Sequence, residues 1–308
     1  MEWGACTEHM PHYVFSKNNP YDREAPVELV LPARMPSRAF MDSIRTTAVP
    51  EDGLAIWFLG QNGFLLKAHE SPLIGIDLYL TNSCARRFAD LPFRLDRQLP
   101  VFIEPEDLEI DVFCTTHSHQ DHADPETLQR LKRTETMQFV GPWESLECYR
   151  NCGIPEAQCR LLHPNQRLQL GGGVDLKGTF ALPTDATDLN HLGLLFRFTN
   201  GITYYNSGDT GECALLSSLL PHNVDICSIC INGGFHNLAP MDAAHIVHQI
   251  GARVAIPCHY DMMVNNAGDP EMLRTALHVI GSETPVHVMD YYVPWIYRKH
   301  RRAPGAAE

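Results

Sequence analysis

The chain is short of positive charge, of long apolar runs, and of any cysteine pattern that belongs to a secreted scaffold. Its 308 residues carry 24 Lys and Arg against 37 Asp and Glu, a formal net charge of −13. A grip on nucleic acid depends on cations that neutralise phosphates, so this balance argues against a nucleic-acid partner. It leaves room for a local basic pocket and a small anionic substrate, because field focusing acts at a cleft rather than on the average charge. No stretch is long and apolar enough to span a bilayer, and none reads as a lipid-facing amphipathic segment, so no membrane partner is expected. The first residues lack the basic, apolar and small-residue order of a secretion signal, which makes the cytoplasm the expected compartment. The ten cysteines sit mostly in apolar runs (Cys114, Cys227, Cys230, Cys258), where reduced, buried thiols are expected rather than disulfides. Cys227 and Cys230 have C-x-x-C spacing, but no second pair accompanies them and the run around them reads as a buried strand. No repeat of solenoid type is present.

With 44% apolar and 20% charged residues, the chain has material for one sizeable core. Residues 1–50 are Pro-rich apart from a helical stretch from Arg38 to Thr47, and read as an extension serving as a lid or a dimer contact. A homo-oligomer would be built through the latter. Residues 51–297 form the main domain, and 298–308 a basic, solvated tail. Short apolar runs at Leu54–Leu59, Phe64–Ala68 and Leu73–Leu80, broken by Gly-rich or Pro-bearing turns, predict adjacent strands. A polar connection from Asn82 to Arg97 follows. Asp124 and Pro125 predict a capped helix start. The second half repeats the rhythm with strands at 174–182, 192–199, 202–206, 224–231 and 254–257, and helices at 240–250 and 269–280. Segments 286–289 and 291–297 are expected to close the sheet. The layered solution is α/β, a sheet-on-sheet core flanked by helices.

The densest chemistry lies in Thr116-His117-Ser118-His119-Gln120-Asp121-His122, directly after the apolar run 110–114. Three imidazoles and a carboxylate within six positions offer nitrogen and oxygen donors for one or two divalent ions. At a strand end the period-2 alternation turns His117 and His119 the same way. Two other strand ends carry matching donors: Asp209 in Ser207-Gly208-Asp209-Thr210, where a carboxylate at a sharp turn could bridge two ions, and His259 in Pro257-Cys258-His259-Tyr260-Asp261. Asp77 reads as the partner of a ligand histidine. His245 and His248 read as helix-surface residues.

With these residues in this order, the chain resembles the metallo-β-lactamase superfamily of metal-dependent hydrolases. The resemblance covers about residues 54–295 and implies an αββα sandwich with the metal at the strand ends. The family usually has a further His in an Asp-His-Thr motif, where this chain reads Thr184-Asp185-Ala186-Thr187-Asp188. Asp185, Asp188 or His191 is then expected to substitute, with Asp185 entering the ligand set, or a single ion is held. The Asp-Ala-x-Asp text, Trp57-Phe58-Leu59-Gly60 and Ile256-Pro257-x-His259-x-Asp261 resemble the L-ascorbate-6-phosphate lactonases.

The expected ligand set is therefore His117, His119, Asp121, His122, Asp185, Asp209 and His259, holding one or two ions of manganese or zinc, with iron as a further candidate. Such an ion lowers the pKa of bound water to roughly 7, which supplies hydroxide for attack on a lactone carbonyl. Asp121 would orient it or take its proton, and His236, on the loop after a buried strand, could protonate the leaving group. Arg86, Arg87, Arg94 and Arg97 are the candidates for a substrate phosphate. The rival readings are a phosphodiesterase or phospholipase D-like hydrolase on the same scaffold, and a metal-binding scaffold without catalysis.

Overall fold

Six consecutive buried residues, Gly53–Phe58, form the first strand, β1, and a tight turn through Gly60 returns the chain into β2, Phe64–Ala68. The computed structural model describes residues 35–299. A helix, α1 (Ser37–Thr46), precedes β1. Strand β3 (Ile74–Ile76), α2 (Ser83–Arg87), β4 (Val112–Cys114), α3 (Pro125–Arg130), β5 (Gln138–Gly141), α4 (Trp143–Asn151) and β6 (Cys159–Leu161) complete the first half. The second half runs β7 (Arg167–Gln169), β8 (Asp175–Phe180), β9 (Leu192–Arg197), β10 (Thr203–Asn206), α5 (Leu216–Leu219), β11 (Ile226–Cys230), α6 (Pro240–Gln249), β12 (Val254–Cys258), α7 (Glu271–Val279) and β13 (Trp295–Arg298).

Two sheets result, ordered β13-β1-β2-β3-β4-β5-β6 and β12-β11-β10-β9-β8-β7. In the first, β3 to β6 run parallel; in the second, β10 to β12 do. Phe64 of β2 meets Tyr204 of β10 edge-on at 6.2 Å, both fully buried, so the inner faces of the two sheets share one core. Outside them, α4 packs on β5 and β6 and α6 on β11, with α7 against α6. This is the αββα layering expected. Parallel strands deliver their carboxyl ends to one rim, and ligands of open α/β sheets bind at such ends. The loops after β3, β4, β10, β11 and β12 all emerge there.

Several expectations change. The third strand stops at Ile76 because Asp77 adopts left-handed backbone (φ 44°) and turns its carboxylate inward, where it accepts from Thr116 N at 2.7 Å. The connection 82–97 contains α2. The sheet closes only through β13, which pairs with β1, while Val286 makes an isolated bridge to Ala255. Within the N-terminal extension, of which 1–34 lie outside the described residues, α1 is not a detached lid. Phe40, Met41 and Ile44 are wholly buried, and Phe40 packs edge-on to Tyr292 at 4.8 Å. The tail is likewise not solvated from its start: Lys299 Nζ donates to Asp225 Oδ2 at 2.8 Å and to Gly201 O at 2.7 Å, and 300–308 lie outside the described residues. Cys227 and Cys230 lie in β11 as buried free thiols, pushed up in pKa by desolvation, Cys230 to about 12. No described helix is long and apolar enough to cross a membrane.

If α1 is core, Phe40→Ala leaves a cavity and should lower the unfolding free energy by about 3–5 kcal/mol. Guanidinium titration measures this; a loss below about 1 kcal/mol would return α1 to the status of a movable lid.

Candidate metal centre

The first donors arrive where β4 ends. Thr115 N still pairs with Val140 O at 2.9 Å, and the chain then turns so that His122 N donates back to His119 O at 2.9 Å, curling the motif into one cluster. From the second sheet, Leu192 N donates to Thr116 O at 2.9 Å, which seats His191 against His117 with ring centroids 4.0 Å apart. Asp209 comes in through Gly208, whose left-handed backbone (φ 58°) and missing Cβ both matter. A methyl group there would fall 2.6 Å from Leu192 O and 2.8 Å from Thr116 Cβ. His259, also left-handed (φ 60°), follows β12, and its N–H donates to Gln61 O at 2.6 Å. Left-handed non-glycine residues cost of order 1–3 kcal/mol and persist where the surroundings over-determine them.

The outward nitrogen of four histidines is committed as a donor. His122 Nδ1 gives its hydrogen to Asp77 Oδ2 at 2.7 Å. Thr116 Oγ1 spends its own hydrogen on Asp77 and so accepts from His117 Nδ1 at 3.0 Å. His119 Nε2 faces Asp185 Oδ1 at 3.3 Å and Thr187 Oγ1 at 3.1 Å. His191 Nδ1 donates to Asp209 O at 3.0 Å. Each inward nitrogen is therefore a lone pair in the neutral ring, and these lone pairs converge. His117 Nε2 and His119 Nδ1 lie 2.9 Å apart, while His191 Nε2 is buried with no hydrogen-bond partner.

A second set surrounds His122 Nε2. It lies 3.6 Å from Asp121 Oδ2, 3.4 Å from Asp209 Oδ1 and 3.3 Å from His259 Nε2. His259 Nε2 in turn lies 3.1 Å from Asp209 Oδ1 and 3.3 Å from Asp121 Oδ2. Nitrogen and carboxylate donors brought this close together are of the types that could share one divalent ion. Asp209 Oδ1 is buried without a hydrogen bond, and Asn237 Nδ2 holds the other oxygen at 2.7 Å. The amide of Gln61 reaches Asp121 Oδ2 at 2.6 Å and His259 Nε2 at 3.0 Å, and the acceptors left without a donor repel one another unless a cation sits between them. The donors thus fit divalent ions in two groups, His117–His119–His191 and Asp121–His122–His259, with Asp209 adjoining both.

Asp185, expected in the ligand set, stands behind it instead. Its Oδ1 is bound to Thr187 N at 2.7 Å and faces the outer nitrogen of His119, so it orients a donor, and His191 fills the inner position. Asp188 is also outside, accepting from Ser118 N at 2.8 Å and Ser118 Oγ at 2.7 Å. His236 is exposed on the rim, its Nδ1 donating to Thr184 O at 2.8 Å. The four arginines do not converge on the centre. Arg86 pairs with Glu126 and Arg94 with Asp96. Arg97 donates to the carbonyls of Tyr79, Leu99 and Pro100, and Arg87 lies over the Phe88 ring. His245 and His248 are exposed on α6.

The sequence reading missed a polar layer beneath the donors. Gln61 and Asn62 are fully buried although they occupy a turn. Gln61 Nε2 donates to Asp121 Oδ2 at 2.6 Å, Gln61 N to Asp261 Oδ1 at 2.9 Å, and Asn62 Nδ2 to Asp77 Oδ2 at 2.6 Å. The signal was there in Gly60-Gln61-Asn62-Gly63, two amides set between strands that are otherwise apolar.

Residues 55–259 match the family model described as the beta-lactamase superfamily domain. A protein of Herpetosiphon aurantiacus named UPF0173 metal-dependent hydrolase is 25% identical over 233 residues, covering 71% of this chain and 93% of its own. A probable L-ascorbate-6-phosphate lactonase of Salmonella heidelberg is 22% identical over 274 residues, covering 76% and 77%. Among solved structures, the metallo hydrolase Igni18 of Ignicoccus hospitalis superposes with a TM-score of 0.62 at 19% identity, over 80% of this chain and 99% of its own.

In the metal-free protein, protons fill the gaps between acceptors. Burial opposes charge on His122 and His259, but Asp121, Asp209 and, for His122, Asp77 outweigh it, raising His122 and lifting His259 to about 9. A raised histidine contributes stability that is complete below its unfolded value near 6.5 and is lost as pH climbs through about 9. Ions must displace those protons. Calorimetry at pH 7 in buffers of different ionisation enthalpy should register net proton release on zinc binding, fading as pH passes about 9; no release at pH 7 would contradict this reading. Metal analysis should separate the two residues at issue. His191→Ala loses one of two ions, whereas Asp185→Ala keeps both with the first held roughly 10–100-fold more weakly. The opposite pattern would restore Asp185 as the ligand.

Proposed function

The chain belongs to the beta-lactamase superfamily as a metal-dependent hydrolase, and from that premise we propose that it hydrolyses a carboxylic ester in cyclic form, a lactone. The observation that carries this is the pair of donor groups meeting at Asp209, open at the side where His119 and Asp121 remain partly exposed. Such ions, when bound, polarise a carbonyl oxygen and make water nucleophilic at neutral pH. His117, His119 and His191 would hold one, and Asp121, His122 and His259 the other, with Asp209 between. The donor types take zinc, manganese or iron.

Asp121 has the position and charge of a general base. Burial works against its ionisation, but His122 and His259 hold its carboxyl below the usual carboxylate range. Gln61 fixes Oδ2 by donating to it at 2.6 Å, which aims the carboxylate across the mouth. His236 is the candidate acid for the leaving alkoxide. Its Nδ1 is tied to Thr184 O, so the ring is oriented at the rim beside the Asp209 loop. The lactone preference draws support from the 22% identity to the Salmonella lactonase. A diester has less in its favour, because three of the four arginines that could face a phosphate are bonded elsewhere and Arg87 lies over a ring.

Hydrolysis assays of a lactone panel against bis-p-nitrophenyl phosphate should show turnover of lactones and none of the diester. Turnover of the diester alone would sink the reading. Asp121→Asn should lower kcat/KM on the lactone about 10²–10⁴-fold with an unchanged circular dichroism spectrum. A loss under tenfold would remove Asp121 from the chemistry.

A further inference from the structure

The rim of the metal centre carries an aromatic pair that the hydrolytic machinery does not use. Phe93 and Phe235 meet edge-on, ring centroids 5.5 Å apart, and both are only partly buried. They come from two separate loops. Phe235 lies between Asn232, whose Nδ2 donates to Asn266 Oδ1 at 2.9 Å, and Asn237, which holds Asp209. Phe93 lies in a segment laced to the loop that follows His259. Asn265 Oδ1 accepts from Arg94 N at 2.6 Å, Asn265 N donates to Arg94 O at 3.0 Å, and Gln98 N donates to Met262 O at 2.7 Å. Each ring is thus fixed to a segment that carries or supports a metal donor.

The backbone beneath Phe235 is strained as well. Phe235 and His236 are consecutive non-glycine residues in left-handed conformation, with φ of 53° and 63°. Strain of this kind is held by its surroundings and concentrates at binding sites. On the loop before β9, Leu189 is 70% exposed, yet both its chain neighbours are pinned. Asp188 binds Ser118 within the histidine motif, and Asn190 Nδ2 binds Glu144 at 2.8 Å. Apolar surface is therefore held at fixed positions on loops tied to the donor segments. Of the arginines nearest in sequence, Arg86, Arg94 and Arg97 are turned to carboxylates or carbonyls, and Arg87 lies over the Phe88 ring.

We propose that Phe93 and Phe235 form the wall that selects the substrate, and that the substrate class is a neutral lactone or ester with an alkyl or aryl body, not a phosphorylated sugar. This rests on the hydrolase reading above. Aromatic side chains contribute large apolar contact area at small conformational cost, and each methylene buried against them adds to binding.

The test uses the full chain loaded with zinc and a series of γ-lactones with unbranched alkyl substituents of increasing length. The expected result is a rise in kcat/KM of up to about fourfold per added methylene, carried by KM more than by kcat. Phe93→Ala and Phe235→Ala should each flatten that slope, with bound metal unchanged, and Phe93→Leu should restore part of it. A flat dependence on chain length in the wild-type protein would overturn the inference. So would a phosphorylated sugar lactone turned over with higher kcat/KM than its dephosphorylated form. If no lactone or ester of any length is cleaved by protein shown to hold metal, the lactone reading of the preceding subsection falls, and this inference with it. Should Phe93→Ala fail to fold, the Phe93→Leu and Phe235→Ala slopes decide the matter.

Discussion

Everything in this protein bends around one electrostatic constraint: the acceptor atoms of seven side chains are brought to one rim with far fewer hydrogen-bond donors than acceptors, the Gln61 amide reaching Asp121 Oδ2 and His259 Nε2. His117, His119, His122 and His191 each commit one ring nitrogen outward, to Thr116, Asp185, Asp77 and a backbone carbonyl. What remains inside is lone pairs and carboxylate oxygens 2.9–3.6 Å apart. Burying them without a cation or added protons would be strongly unfavourable. The fold meets that cost with strained backbone at Asp77 and His259, a glycine at 208 that lets two strand ends touch, and buried amides at Gln61, Asn62 and Asn237.

The layers explain how such a cluster can exist. The first sheet supplies four of the seven donors after the carboxyl end of β4; the second supplies Asp209 and His259 after β10 and β12 and His191 from the amino end of the antiparallel β9, which the hydrogen bond from Leu192 to Thr116 ties to β4. Neither sheet has a full set on its own. The pairing of Phe64 with Tyr204 in the core and the seating of His191 on His117 at the rim are two consequences of the same packing.

Much of this was legible in the sequence because the signals were local. The histidine motif, Asp209 and His259 each close a strand-like apolar run, and Asp124 with Pro125 marked the start of α3, where Asp124 accepts from Glu126 N and Thr127 N. What the local pattern left open depended on contacts between distant segments. Asp185 lies nearer than His191 to the expected motif position. Yet Asp185 and Thr187 close their own small turn, and the chain reaches the centre only where Leu192 bonds to Thr116. The arginines read as anion ligands by residue type alone, while Arg97 is consumed by carbonyls of its own loop. The short helix before β1 looked separable because it follows Pro-rich sequence, but its apolar face fills the core.

The account stands or falls on two ions lying at the predicted donors. Anomalous diffraction from zinc-soaked crystals is the most direct measurement. Two peaks are expected, one among His117, His119 and His191 and one among Asp121, His122 and His259, with Asp209 between them. A single peak bound through Asp185, or no peak at either group, would contradict it.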